Sequence, residues 1–468
     1  MPISATTYDY DTVIIGAGMS GLAAGIRLAY YDRRVCILER HTTIGGLNSF
    51  YRLDGRNYDV GLHAVTNFAV RGTKKGPLAR LLRQLRMSWD EWPLFPQVGS
   101  RIAFPGVSLD FNNDFEFFRC EVHRRFPDQK DNFERLLTEI ADYDDLDFAS
   151  ADRSAREIVS GILSDPLLVE MLFCPLMYYG SARQGDMDFA QFCIMFRSIF
   201  MEGLGRPAAG VRLILKTLVR RFRALGGSLR LRSGVSRMVV EDATVTRLVL
   251  DDGAEITAHN VLSSAGWCET MRLCGDTEDT AASTAGQLSF CEAMSVLDCQ
   301  PRELGHEQTI IFFNDSPEFH WQKATDLVDL HSGVICSPNN FLYEGPPDEG
   351  MIRMTMLANF DLWRGLPEPE YRLAKLHWYD RMLASAVQFV PDFRGHVVAT
   401  DMFTPTTIRR YTGHDNGAVY GAAKKRYDGT THLKNLFICG TDQGFVGIIG
   451  SIVSGISMAN QHLLKAEG

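Results

Sequence analysis

At 468 residues and 45% hydrophobic content, the chain exceeds what one hydrophobic core usually serves and reads as a two-domain soluble enzyme. A net charge of −9 argues against nucleic acid as a partner. Ten cysteines without a CxxC, and twelve histidines without an HExxH, argue against a disulfide framework and a metal site, so the cysteines are read as reduced core residues.

In chain order, the N-terminus has no basic or apolar leader before the first strand, which predicts a cytoplasmic rather than an exported protein. Val13-Ile-Ile then runs into Gly16, Gly18 and Gly21, with Met19 and Ser20 between them, and a second strand at 35–38 ends on Glu39. This spacing predicts a dinucleotide-binding βαβ unit. Gly16 permits the turn, Gly18 lets N–H groups approach a pyrophosphate, and Gly21 lets the helix pack closely on the strand. Glu39, 18 residues past Gly21, is placed to accept the ribose hydroxyls and to repel a 2′-phosphate.

Arg40 and a second glycine pair, Gly45-Gly46-Leu47-Asn48, follow, and then Asp59-Val-Gly-Leu-His63. A permanently held flavin needs this extra backbone around its pyrophosphate and a nicotinamide does not, so FAD is the expected cofactor. His63 is a candidate proton donor or acceptor beside the flavin, against the alternative of a structural histidine. Residues 77–87 place Leu78, Leu81, Leu82 and Leu85 on one face and Arg80, Arg83 and Arg86 on another, with Trp89 and Trp92 alongside. The pattern predicts either an interfacial helix in peripheral contact with anionic lipid at the inner membrane face, or an amphipathic helix docked on the core.

Phe189, Phe192, Phe196 and Phe200 recur at helical spacing. They predict a core helix or, alternatively, the wall of a tunnel for a long apolar ligand. No cluster of charges in the sequence marks a polar substrate pocket. Near the C-terminus a strand at 435–439 leads through Gly440 to Asp442, placed for a ribityl chain, and a glycine-spaced helix from Gly447 would aim its N-terminus at the flavin. The run 445–459 is too short and too rich in Gly and Ser for a membrane span.

Together with Gly210 and its following helix, Gly226-Gly227, Val235, the stretch Leu248 to Gly266 and the stretch Thr404 to Gly421, these motifs resemble the phytoene desaturase and carotenoid isomerase branch of the flavin amine-oxidase superfamily. The resemblance runs from residue 10 to the C-terminus. It departs from the family pattern at Leu47-Asn48, where an arginine is common, and at Gly444-Phe-Val-Gly447, which is two residues shorter. It implies noncovalent FAD, with Val235 at the adenine, Asp442 at the ribityl chain and the backbone near Ile448 at the flavin O2. Arg40, Gly45, Gly46, Leu47, Asn48, Ala265, Gly440 and Gly447 complete the candidate cofactor set, and Arg410 and Tyr411 join His63 as near-flavin polar candidates.

The implied fold is α/β, a Rossmann-type FAD-binding domain (1–72, 226–285, 396–468) with an inserted α+β substrate domain (73–225, 286–395). With a single GxGxxG, a second dinucleotide domain is not expected. The implied activity is desaturation of a long apolar isoprenoid by hydride transfer to flavin N5. A redox-neutral polyene isomerase, a polyene saturase, a hydroxysqualene dehydroxylase, an amine oxidase and a non-catalytic flavin-bearing lipid binder remain alternatives.

Overall fold

The computed structural model describes residues 8–61, 63–143, 152–276, 284–345 and 347–464. The predicted βαβ unit forms from Tyr10–Ile15, Met19–Ala29 and Val35–Leu38. Its strands are continuous apolar runs because helices cover both faces of a parallel sheet. Five parallel strands lie in the order Leu436–Ile438, Ala258–Ser263, Tyr10–Ile15, Val35–Leu38, Ser228–Arg230. The sheet thus draws strands from the first fifth, the middle and the last fifth of the chain. A Cβ on Gly21 would stand 2.2 Å from the Gly16 carbonyl oxygen, and one on Gly455 would stand 2.0 Å from that of Ser20. Only glycine allows the first helix to pack this closely on both the turn and the helix Gly447–Met458.

A three-stranded antiparallel sheet, Val235–Glu241, Thr244–Leu250 and Glu255–Ile256, is inserted in the chain between the fifth and second strands of that order. A second large sheet has seven strands in the order Val397–Phe403, Ser289–Leu297, Gly350–Ala358, Ser332–Cys336, Ile310–Asn314, Ser100–Phe104, Val107–Phe111. Its pairs are antiparallel except Ile310–Asn314 with Ser100–Phe104. The helices from Phe115 to Phe196 pack into a core shared with one side of this sheet, while Phe360–Gly365 and Glu368–Ala386 pack with residues of the opposite side. The α/β fold with an α+β insertion is therefore present. No helix among the described residues is long and apolar enough to cross a membrane.

Three expectations need correction. The helix Pro77–Gln84 and the helix Val211–Ala224 were placed with the substrate region, yet their apolar residues share a core with Ile14, Leu22 and Ile37 of the dinucleotide unit. The same packing removes the interfacial helix: Leu78, Leu81, Leu82 and Leu85 are each at most 2% exposed. At roughly 1.5–3 kcal/mol per buried leucine, undocking that face from the core into water would cost about 6–12 kcal/mol. Finally, Phe189, Phe192 and Phe196 are 0–2% exposed and make ring contacts among themselves and with Phe133, Phe173 and Phe200, the last of which stacks on Phe118. They form a core rather than a tunnel wall.

Candidate functional site

A cleft of about 360 Å³ runs along the carboxyl ends of the parallel strands. Gly16, Gly18, Met19 and Ser20 form its floor at the helix N-terminus, where the first N–H groups have no intrahelical partner. Arg40, Gly45, Gly46, Leu47, Asn48, Val235, Ala265 and Gly440 also line it, as do Glu39 and Tyr411. Gly21 does not line this cleft; its role is the close packing described above.

Glu39 is 7% exposed. Its Oε2 accepts the Ala17 N–H at 2.9 Å and its Oε1 accepts the His41 N–H at 2.9 Å. The carboxylate thereby ties the glycine turn to the loop after the second strand, and its remaining lone pairs are left for hydroxyls in the cleft. A Cβ built on Gly18 or Gly46 meets nothing within 4 Å. The floor is a cradle of backbone donors with a carboxylate at one end, a donor set that fits the pyrophosphate and ribose of a dinucleotide.

The cleft opens into a chamber of about 620 Å³, and the two share Glu39, His41, Gly46, Leu47, Asn48, Tyr411, Thr412, Thr441 and Ser451. Gly447 and Ile448, at the start of the last long helix, line the chamber. Tyr178, Tyr179, Phe290, Val334, Met402, Phe403, Val419, Tyr420 and Val446 form most of its apolar wall.

One side of the chamber is polar, contrary to the expectation that no charged cluster lines the substrate space. Glu292 and Thr355 are directly paired across adjacent strands of the seven-stranded sheet, so both side chains point to one face. His63, from the loop after the strand Arg56–Asp59, meets them with Nε2 2.8 Å from Thr355 Oγ1. Arg353, two residues before Thr355 and 1% exposed, donates from Nε to Glu292 Oε1 at 2.5 Å and from Nη2 to the same oxygen. Burial is the main cause that pushes the His63 imidazole down to about 4. At the other polar edge Tyr51 donates to Asp401 at 2.6 Å, with Lys375 also on the wall.

Two further site residues are placed otherwise than expected. Asp442 lines neither cavity: its Oδ2 accepts the Trp267 N–H at 2.6 Å and its Oδ1 the Ala422 N–H at 2.7 Å. The aspartate pins two loops behind the cleft, and Thr441 occupies the lining in its place. Arg410 is exposed and lines neither cavity; its guanidinium lies 5.6 Å from the Tyr411 ring. His63 and Tyr411 do line the chamber. Sequence reasoning missed Glu292, Thr355 and Arg353, because a charge in the middle of a strand shows no motif until pairing brings its partners together. On the surface, Asp298, Cys299 and His396 also converge within 4.8 Å, where His396 Nδ1 lies 2.9 Å from Asp298.

A parallel-sheet dinucleotide cleft opening into a chamber under a second sheet defines the class as a flavin-type oxidoreductase. The chain belongs to the flavin containing amine oxidoreductase family, which it matches over residues 19–463, and it is an FAD-dependent oxidoreductase. It is 22% identical to the chloroplastic prolycopene isomerase of Daucus carota, over 88% of this chain and 72% of that one. It is 22% identical to the lycopene-forming phytoene desaturase of Pantoea ananas, over 94% and 97%. Among solved structures, an oxidoreductase from Methanosarcina mazei superposes with a TM-score of 0.68 at 16% identity, over 96% of this chain and 99% of that one. The structural likeness shows the fold; the family match and the two sequence relatives place the chain in a carotenoid desaturase- and isomerase-like branch.

Proposed function

We propose that the protein desaturates a long apolar polyene of the carotenoid type. The observation that carries this reading is the aromatic and aliphatic wall from Tyr178 to Val446, in a chamber that shares Thr441 and Ser451 with the cofactor cleft. Apolar surfaces of this kind bind and align a hydrocarbon without specific hydrogen bonds, by removing both surfaces from water. When bound, oxidised FAD supplies a hydride acceptor. The protein supplies the rest: the wall excludes water and positions one segment of the chain, and the polar side at His63, Thr355 and Glu292 provides a place for a proton. The names of the two relatives, which specify phytoene and prolycopene, support a substrate of this class.

Isomerisation without net redox change is the second reading, favoured by the similarity to a prolycopene isomerase. Anaerobic incubation with a polyene separates the two. Desaturation bleaches the flavin and gives a product two hydrogens lighter, whereas isomerisation leaves the mass unchanged. Peroxide release with simple amines and no response to polyenes would overturn both readings.

A further inference from the structure

Asp298 and Cys299 directly follow the strand Ser289–Leu297, and His396 stands just before the edge strand Val397–Phe403 that pairs with it. Antiparallel pairing of Leu297 with Val397 brings the three side chains to one end of the sheet, although His396 and Asp298 are 98 positions apart in the chain. No ligand-spacing motif in the sequence could announce them. Each offers a ligand atom of a different kind, a carboxylate oxygen, a sulfur and a ring nitrogen, and the three atoms lie within 4.8 Å of one another. We propose that Asp298, Cys299 and His396 form a zinc-binding site.

The donor set selects the metal. Mg²⁺ and Ca²⁺ take oxygen ligands, whereas a thiolate, an imidazole and a carboxylate together suit Zn²⁺. The spacing is close to what that ion needs. His396 Nδ1 lies 2.9 Å from Asp298 Oδ1, and in a tetrahedral zinc site the same two atoms would stand about 3.4 Å apart. An opening of about half an ångström therefore admits the ion, and the Cys299 sulfur closes on it until it stands about 3.6 Å from the other two atoms.

The backbone beneath the cluster is already fixed. The Asp298 N–H donates to the His396 carbonyl at 3.1 Å, and a Cβ on Gly350 would stand 1.9 Å from the Cys299 carbonyl oxygen, so the strand Gly350–Ala358 holds Cys299 closely from its other side. The side chains themselves can turn and are reached by solvent, Asp298 being 56% and His396 43% exposed. Water then completes the tetrahedron. On binding, the thiol releases its proton to solvent, the Nδ1–Oδ1 hydrogen bond gives way to two metal bonds, and the imidazole carries its hydrogen on Nε2.

None of the three residues lines the cleft or the chamber. Asp401 and Phe403, which do line the chamber, lie farther along the same edge strand, the nearer of them roughly 17 Å from His396. The ion thus acts as a staple at the root of a strand that has a neighbour on one side only, and takes no part in the redox step.

The test titrates untagged, chelator-treated holoprotein with Zn²⁺ by isothermal titration calorimetry. One equivalent should bind, with affinity lowered about tenfold or more in each of Cys299→Ser, His396→Ala and Asp298→Asn. Cys120→Ser, which removes an exposed cysteine elsewhere, should bind as wild type does. Co²⁺, used as a coloured probe at wavelengths beyond the flavin's absorption, should show the bands of a tetrahedral ion in wild type and lose them in Cys299→Ser. Zn²⁺ at about a hundredfold above its Kd should raise the wild-type Tm by about 3 °C and leave the three variants unmoved, while all four metal-free proteins melt together. No bound equivalent, or one that survives Cys299→Ser, overturns the site. Wild-type affinity in both His396→Ala and Asp298→Asn reduces it to a lone thiol that picks up metal, which overturns it equally. None of these readings involves a polyene, so the desaturation proposal stands or falls separately.

Discussion

Replacing Glu39 by alanine should weaken the protein in two separable ways. The carboxylate ties Ala17 and His41 through two 2.9 Å bonds from backbone N–H groups, and Ala17 is fully buried. Leaving those donors unsatisfied costs about 1–3 kcal/mol each. For a chain of 468 residues, with about 2 cal/mol/K of unfolding entropy per residue, a loss near 3 kcal/mol lowers the apo-protein's Tm by about 3 °C. The same substitution removes the acceptor for the ribose hydroxyls, about 1.5–3 kcal/mol, which weakens FAD binding by about 10- to 150-fold. Differential scanning calorimetry of the apo form and fluorescence titration with FAD read the two effects. Glu39→Gln should rescue neither fully, because its amide offers one acceptor oxygen and directs N–H toward the other donor. An apo Tm shifted by less than about 1 °C, together with a Kd within about twofold of wild type, would refute the assignment of Glu39 to both jobs.

Four further outcomes are expected. Phe196→Ala should lose about 3–5 kcal/mol of stability in denaturant titration with no change in apparent polyene affinity, because the ring is fully buried away from the chamber. Arg410→Ala should keep wild-type flavin content and turnover, measured by absorbance ratio and product formation, since the side chain is exposed and outside both cavities. Arg80→Glu with Arg83→Glu should pellet with anionic liposomes as wild type does, because the leucine face of that helix is committed to the core. The His63 imidazole lies at about 4 when folded, against 6.5 ordinarily, with burial as the leading cause. The unfolded chain then binds the proton first, so stability falls as pH drops from about 6.5 toward 4, by at most about 3 kcal/mol. Unfolding curves of wild type and His63→Gln should converge across that window.

The dinucleotide unit was legible because its determinants are local. Gly16, Gly18 and Gly21 fix a turn and a helix packing distance within six residues, and a βαβ unit sets the spacing to Glu39. Even the distant Gly455, whose close approach to Ser20 is required for packing, announced itself through glycine spacing in an apolar helix. The amphipathic pattern at 77–87 was also read correctly as a helix with an apolar face. What that face covers is a tertiary matter, since leucines facing lipid and leucines facing a core have the same period.

Tertiary structure decided the chamber's chemistry. Asp442 stands at a strand end as expected, yet the loops at Trp267 and Ala422 arrive with two N–H donors and claim both oxygens. Glu292 and Thr355 lie 63 positions apart and His63 more than two hundred from either, and only the register of two antiparallel strands and the path of one loop bring them together. Sequence determines directly what depends on neighbours along the chain: turns, caps, helix faces and the closeness that glycine permits. Which polar groups satisfy one another in the interior depends on which elements meet, and burial makes that pairing obligatory.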